Sequence, residues 1–565
     1  MTAPDDPVGG PATLLGWLAD PPADRGISHV HEQGDWERLT YRELAWKVFE
    51  VARTLAGAGA AGAVVPILMP PGPRFVATFF GVLLAGGTPA PLVTPVRFED
   101  PQVYSTYLHH LLSTTQARIV VAEARFEKRV LEVVAPRRPE IVTVGEGFSP
   151  VPRHERAVPL HDDDVALLQF SSGSSGKNRA VRVPVGSLEA NTNAMADWLG
   201  LAAGRDAWAT WLPVHHDLGL IAGVVTPVMH GLDLWSMPPE RFIREPRKWL
   251  GCFGELGATV TAAPPFGLGY VARKMTTADL GNMDFTRWKA VICGAERVSA
   301  QVLADFVSVV GPCGFDERAI LPAYGMAEAT LAVTGKKRGA ATTTIRVGAA
   351  SLRMGQTVEV VATPGRENRH VGCGGIVDPG TDLDIVLDGS PVGERVVGEI
   401  VVSGRSLAAG YFTDTIGGTS RFADGKLFTG DAGFLHEGEL FVVGRLGDSV
   451  KVRGRSLFAE DTDATLYGVD GLGTHNAVTL LGFLDERESV VALVEKPAGE
   501  WVEKVAGHLE MHHPSMRVVV VTADRGTLLR TTSGKPRRSA MWQLVLDRWE
   551  ARDIAFDSAA PRPGE

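Results

Sequence analysis

Along the N-terminal half of the chain, apolar runs of strand length alternate with stretches of helical period. Residues 37–60 (ERLTYRELAWKVFEVARTLAGAGA) carry Leu44, Val48, Val51 and Leu55 at helical spacing, and Thr40 with Glu43 fits a capping box at the start. VVPILMP follows as a short apolar strand, and RFVATFFGVLLAGGTPAPL reads as helix, glycine stop and strand. ARIVVAE, FEKRVLEVV and IVTV repeat the order strand, helix, strand; ATVTAAP, LGYVARKM and WKAVICGAE do so again and end in a turn. This βαβ rhythm predicts parallel sheets with helices on their faces.

From residue 340 the pattern changes. TTTIRVGAA, QTVEVVAT, DLDIVL, GEIVVSG and GELFVVGR are short β-rich runs between turns, which predict a small twisted sheet or barrel. A third texture starts at Asp448: VKVRG, AVTLLGF, ESVVALVE and MRVVVVTA read as strands, and EKVAGHLEMHH reads as a helix between the last two. The expected fold is therefore α/β. Its large N-terminal region, 1–447, holds two parallel-sheet subdomains and a β-rich, barrel-like part over 340–447. A small, mobile α+β domain follows over 448–565. The tail after Ile554 (AFDSAAPRPGE) is expected to fray.

At 565 residues the chain is too long for one hydrophobic core, in keeping with that division. The net charge of -10, without a basic stripe, argues against nucleic-acid binding. Cys252, Cys293, Cys313 and Cys373 stand singly, with no CxxC pair, as expected of reduced thiols in a cytoplasmic protein. The N-terminus lacks the basic start and apolar run of a signal peptide, and no stretch reaches the roughly 18 apolar residues that span a bilayer. The segment from Val76 to Leu92 comes nearest and reads as a buried helix and its exit. No membrane anchor is expected.

Four motifs carry candidate chemistry. LQFSSGSSG (168–176) alternates small hydroxylated residues with glycine, so that its backbone and hydroxyls suit a polyphosphate; a solvated loop is the plain alternative. AYGMAEAT (323–330) sets Glu328 in a small, apolar strand-to-helix turn, where it would hold Mg²⁺ or simply favour a helix start. LFTGDAGF (427–434) places Asp431 in a glycine-flanked turn suited to ribose hydroxyls, with Arg445 next in GRLGD (444–448). RTTSGK (530–535) ends on Lys535, whose compact charge a domain movement would carry to a reacting phosphate.

Together and in this order, the four motifs resemble the adenylate-forming superfamily of acyl-CoA synthetases, peptide-synthetase adenylation domains and luciferases. The match is best to the fatty acyl-AMP ligase branch. WLPVHHDLGL (211–220) resembles that branch's acyl-pocket motif, GAE (294–296) its adenine-side turn, and VGEIVVSG (397–404) with Gly410-Tyr411 the strand before its ribose motif. The resemblance implies ATP and Mg²⁺ as cofactors, an acyl-AMP intermediate, and CoA or a carrier-protein phosphopantetheine as the thiol. It implies phosphate contacts from Ser171, Ser172, Gly173, Ser174, Ser175 and Gly176, and metal binding by Glu328. Gly294, Ala295, Glu296, Tyr324 and Gly325 would frame the adenine, Asp431 and Arg445 the ribose. Lys535 would be the adenylation lysine and Asp448 the hinge. His216, Leu220, Pro264, Pro265, Phe266 and Met326 would line a pocket for a hydrophobic carboxylic acid, with His215 as pocket wall. The stretch between Glu328 and Gly372-Cys373-Gly374 is longer than plain acyl-CoA synthetases need, a mark of the acyl-AMP ligase branch.

Some positions depart from the family pattern. The Pro-Lys-Gly triplet after the phosphate loop is replaced by Asn178, Arg179 and Ala180, the basic residue before the hinge by Gly447, and the proline before the final lysine motif by Leu529. Arg179 keeps the charge without the compact ammonium, and Ala180 removes glycine's freedom. Two alternatives follow. In one, adenylation is impaired and the chain performs mainly the thioester step on preformed acyl-AMP. In the other, the fold is a non-catalytic nucleotide binder, which would predict drift at Lys535, Glu328 and Asp431; all three are present.

Overall fold

The Thr40 hydroxyl accepts the Glu43 N–H at 3.2 Å, and the Glu43 carboxylate accepts the Thr40 N–H at 2.8 Å, so the expected capping box opens the helix Tyr41–Gly57. In this computed structural model the residues described are 11–30, 34–94, 101–133, 139–150, 159–171, 179–348, 351–361, 367–413, 419–446, 449–452, 455–466, 469, 472, 476–484, 487–514, 516–530, 535–547 and 554–559. Leu44, Val48, Val51 and Leu55 are buried, and the helix packs on Pro73–Leu84. Gly81 permits that approach: a Cβ there would lie 2.8 Å from Val51 Cγ1. The two helices accompany a four-stranded parallel sheet in the order Thr88–Pro91, Val64–Leu68, Ile119–Ala122, Glu140–Thr143. The apolar stretch from Val76 to Leu92 is thus part of a helix and the strand after it. Among the described residues no helix is long and apolar enough to cross a membrane.

A second sheet of nine strands fixes where a ligand can sit. Five strands from Ile320–Gly325 through Ala290–Cys293, Val260–Ala263 and Ala207–Thr210 to Asp233–Ser236 run parallel, and Gly26–Val30 continues the set. Antiparallel strands close both edges. From Ala207–Thr210 the chain crosses to Asp233–Ser236 on one side and returns to Val260–Ala263 on the other. The strand order reverses there, and the C-terminal ends of strands flanking such a reversal open onto a crevice. Stacked aromatic pairs, Trp211 on Phe242 at 4.0 Å and Phe253 on Trp288 at 3.7 Å, belong to the core around these strands.

The β-rich part is an antiparallel six-stranded sheet in which Lys426–His436 pairs with Gly398–Gly404, Arg421–Ala423 and Glu439–Arg445. One expectation fails here. QTVEVVAT does not form a strand over its described residues. Val358 N–H bonds Arg395 O while Val361 N–H bonds Arg346 O, so the segment is divided between two partners and makes isolated bridges at Thr357 and Val360. The alternation supplies strand propensity, but a ladder needs one continuous partner.

The C-terminal sheet orders Ala477–Leu484, Arg487–Val494, Arg517–Thr522 and Ile554–Asp557. Helix Trp501–His512 packs into one of its two hydrophobic clusters, and Met541 and Val545 of helix Arg538–Asp547 into the other. The tail is a second correction: Ile554–Asp557 does not fray but pairs antiparallel with Arg517–Thr522. Arg517 grips the Asp557 carboxylate through both Nε and Nη2, at 2.9 and 2.6 Å. A two-point ion pair between residues so far apart in sequence leaves no local pattern to read.

Candidate active site

Four candidate segments each follow the C-terminal end of a parallel strand. Ala207–Thr210 runs into residues 211–220, Val260–Ala263 into Pro264, Pro265 and Phe266, Ala290–Cys293 into Gly294, Ala295 and Glu296, and Ile320–Gly325 into Met326 and Glu328. Adjacent parallel strands therefore bring them to one edge of the sheet. Gly294 is confined there: a Cβ would lie 2.7 Å from Ala323 O on the neighbouring strand. Ala295 adopts φ +67°, a left-handed conformation that a side chain rarely takes and that recurs at functional turns.

The segment 211–220 turns through Asp217, whose carboxylate accepts the Leu218 N–H at 2.8 Å, into a π-helical stretch Leu218–Val225. The His215 ring lies 4.4 Å from that of His216, and Gln169 Nε2 donates to His215 O at 2.7 Å. Burial, with the neighbouring His216 as a lesser cause, holds the His215 imidazole well below its ordinary pKa. A neutral, half-buried ring suits the wall of a pocket. Leu220 is fully buried in the main core, whereas Met326 packs into the cluster of the β-rich part.

Two carboxylates feel the charge of the C-terminal lysine motif. Burial raises the pKa of Asp217, opposed by the Leu218 N–H and the charge of Lys535, while Glu328 pushes it further up. Burial also raises Glu296, opposed by Lys535, Arg530 and the backbone N–H of Phe266. Lys535 is exposed, beside a backbone bridge between Arg530 and Pro536. Its charge thus acts on two of the strand-end segments.

Asp431 and Glu328 have their own frames. Asp431 lies within the strand Lys426–His436 and not, as expected, in a turn. Gly430 at φ +70° and a register shift after Ala432 kink the strand there, so the flanking glycines bend it without ending it. Asp431 accepts the Tyr324 hydroxyl at 2.8 Å and Arg445 Nε at 3.0 Å. Glu328, which is buried, sits in a single 3₁₀ turn, Ala327–Ala329, between antiparallel strands. The expected strand-to-helix turn is absent there, so a helix-start role for this carboxylate falls away. Its Oε1 accepts Tyr411 Oη at 2.9 Å and Ser420 Oγ at 3.3 Å.

A model described as AMP-binding enzyme matches residues 19–412 of this sequence. The chain belongs to the AMP-binding enzyme family. Among relatives in that family, it is 29% identical to the medium-chain-fatty-acid–[acyl-carrier-protein] ligase JamA of Moorena producens, over 91% of each chain. It is 30% identical to a putative acyl-CoA synthetase of Caulobacter vibrioides, over 91% of this chain and 92% of that one. A solved structure from studies of fatty acyl-adenylate ligases of E. coli and L. pneumophila superimposes with a TM-score of 0.86. It shares 26% identity over 96% of this chain and 99% of that one.

Within this AMP-binding enzyme, Ser171 ends the strand Val165–Ser171 opposite Arg179, at the start of the Ser/Gly-rich stretch expected to hold phosphates. Ser172, Gly173, Ser174, Ser175 and Gly176 lie outside the described residues, as do Asn178, Gly447 and Asp448. Tyr411 and Ser420 were not singled out by sequence reasoning as partners of Glu328, nor was Asp217 as a neighbour of Lys535. Tyr411 and Asp217 stand inside quoted motifs, a signal that could have found them. Ser420 had none. Arg179 was expected to carry the loop's charge, yet it is buried and bonded to Ser420.

Proposed function

We propose that this protein joins a hydrophobic carboxylic acid to AMP, using ATP, and then passes the acyl group to a thiol. The observation that carries the reading is the reach of Lys535's charge to Asp217 and Glu296, at the ends of the sheet's central strands. Gly294, Ala295, Glu296, Tyr324 and Gly325 would frame the adenine, and Asp431 with Arg445 would take the ribose. Ser171 and the loop through Gly176 would take the phosphates. The acid would lie along His216, Leu220, Pro264, Pro265, Phe266 and Met326.

In the first step a carboxylate oxygen attacks the α-phosphorus, the bond to the β-phosphate oxygen breaks, and pyrophosphate leaves. Two anions at about 4 Å repel by several kcal/mol in a partly dry site. Lys535 offsets that repulsion and holds the acid for in-line attack. Glu328 fits a magnesium site as one buried carboxylate, because Mg²⁺ commonly takes one or two carboxylates and completes its shell with phosphate oxygens and water. Among the described residues no group of three or more His, Cys, Asp or Glu is placed to hold a metal ion by itself. When bound with the nucleotide, the ion supplies positive charge to the phosphates. In the second step the thiolate attacks the anhydride carbonyl and AMP leaves. Rotation of residues 448–565 about Asp448 would withdraw Lys535 and admit the thiol. The long stretch after Glu328 and a relative named as a carrier-protein ligase support a carrier-protein phosphopantetheine as the thiol, with CoA as the alternative that a relative named as a putative acyl-CoA synthetase supports.

ATP–pyrophosphate exchange with a panel of fatty acids tests this reading. Lys535→Ala is expected to lower exchange about 10²–10³-fold while transfer from chemically made acyl-AMP persists. Unchanged exchange in that variant would overturn it. The replacement of the Pro-Lys-Gly triplet by Asn178, Arg179 and Ala180 favours a second reading, in which only the thioester step is efficient. Transfer without exchange in the parent enzyme would select it. Competing CoA against a holo-carrier protein for the same acyl-AMP decides the thiol.

A further inference from the structure

The residue that replaces the phosphate-loop lysine is buried elsewhere. Arg179 begins the strand Arg179–Pro184, directly opposite Ser171, so it stands at the base of the loop. Its Nη1 and Nη2 both donate to Ser420 O at 3.0 Å, and Nη1 reaches Ser420 Oγ at 3.1 Å. Its guanidinium carbon lies 3.3 Å from the centroid of the Tyr411 ring. Ser420 Oγ and Tyr411 Oη are themselves 3.0 Å apart, and both reach Glu328 Oε1. Arg179, Ser420 and Glu328 are 7%, 6% and 5% exposed.

A buried guanidinium is costly unless its surroundings recover the loss of hydration. Here the recovery comes from a carbonyl held by two donors, a ring face, and an anion one hydroxyl away. The planar fork is what makes the arrangement possible, because a lysine ammonium cannot span one carbonyl with two parallel bonds while lying flat on a ring. Breaking the stack would release the Tyr411 ring and the Ser420 backbone together, and Glu328 Oε1 would lose both donors.

We propose that Arg179 is a positioning residue for the metal-binding carboxylate: through Tyr411 and Ser420 it locks Glu328 in the rotamer that receives the nucleotide's magnesium. The proposal rests on the reading of Glu328 as the metal ligand. Arg179 does not touch the phosphates in this role. Its cation serves the support of the site rather than the substrate.

Calorimetric titration of the intact protein with ATP, in Mg²⁺ and again in EDTA, separates the possibilities. AMP serves as a probe of the adenine and ribose side. Arg179→Ala is expected to weaken ATP binding about tenfold in Mg²⁺ and to leave ATP in EDTA and AMP within about twofold. Arg179→Lys retains charge without the fork and is expected to recover little of the loss. If Arg179→Ala does not fold, Arg179→Lys and Tyr411→Phe take its place, and their double variant is expected to lose no more than the worse single one. Equal weakening in Mg²⁺ and EDTA, full rescue by lysine, or additive losses in the double variant would each overturn the proposal. Glu328→Gln is the reference. If it abolishes the Mg²⁺ dependence while the Arg179 variants do not reduce it, only the role of Arg179 falls. If Glu328→Gln leaves that dependence intact, the reading of Glu328 falls and takes the proposal with it.

Discussion

Two carboxylates in this protein, Glu328 buried and Asp431 half-buried, are framed alike and differ in the placing of a cation. Asp431 accepts the hydroxyl of Tyr324, and Glu328 accepts the hydroxyl of Tyr411, at 2.8 and 2.9 Å. Each also has an arginine. Arg445 bonds Asp431 directly, at 3.0 Å. Arg179 stands one step back from Glu328, on Ser420 and the face of Tyr411. A carboxylate with a cation already on it is suited to accept neutral hydroxyls, because its charge is largely spent. A carboxylate held only by neutral hydroxyls keeps its charge for an incoming cation. On the proposed reading, the same tyrosine-and-arginine kit would make a sugar contact in one place and a metal contact in the other.

The strongest way to break the comparison is to neutralise each carboxylate. Glu328→Gln is expected to lower ATP–pyrophosphate exchange about 10²–10³-fold, mostly in kcat, and to raise the Mg²⁺ needed for half-activity. Asp431→Asn is expected to act on binding: the KM for ATP rises about tenfold with the metal requirement unchanged. Steady-state exchange measured across Mg²⁺ concentrations tells them apart. If both variants shift the metal requirement equally, the two sites do not have the separate duties argued above.

The tyrosines give a smaller and more specific probe. Each hydroxyl contributes one charge-assisted hydrogen bond, so Tyr324→Phe and Tyr411→Phe are each expected to cost about five- to tenfold. The loss at Tyr324 should fall on the KM for ATP, and that at Tyr411 on the Mg²⁺ requirement. A Tyr411→Phe variant that changes only the KM for ATP would merge the two frames into one.

Much of this pairing was legible in the sequence, and the remainder was hidden for a physical reason. Strands whose ends carry GAE or GMAE can be recognised because a glycine-bearing turn after an apolar run is a local signal. The capping box at Thr40 and Glu43 is local in the same sense. The frame of Glu328 is different. Tyr411 and Ser420 reach it from more than one turn of chain, and Arg179 joins them across the fold, so nothing near any of these residues announces the contact. Asp431 shows a milder case: two glycines do mark a bend, but only the pairing with Glu439–Arg445 shows that the bend lies inside a strand. The Ile554–Asp557 strand escaped for the same reason, since Arg517 holds it from the adjacent strand, 40 residues earlier in the chain.

A second pair of carboxylates, Asp217 and Glu296, sharpens the contrast, because their shared cation arrives from the C-terminal lysine motif. Burial raises both above the usual carboxylate range, and Lys535 opposes the rise. Both therefore take up protons at higher pH than ordinary carboxylates do, and two opposite signs follow. The folded protein holds these protons more tightly than the unfolded chain, so their contribution to stability improves as pH falls from the raised value to the ordinary one. The attraction for Lys535 exists only above the raised value and is lost over the same interval. Asp217→Asn removes one partner at every pH. It is expected to lower exchange about twofold to threefold at neutral pH and to raise the thermal midpoint there relative to the parent. The gain in midpoint should vanish as pH falls, because the parent's Asp217 is then protonated as well. Melting curves and exchange rates of the two proteins from about pH 5 to 8 test both signs together. A constant difference in midpoint across that range would mean that Asp217 does not titrate above the ordinary carboxylate range, and its part in holding Lys535 would have to be given up.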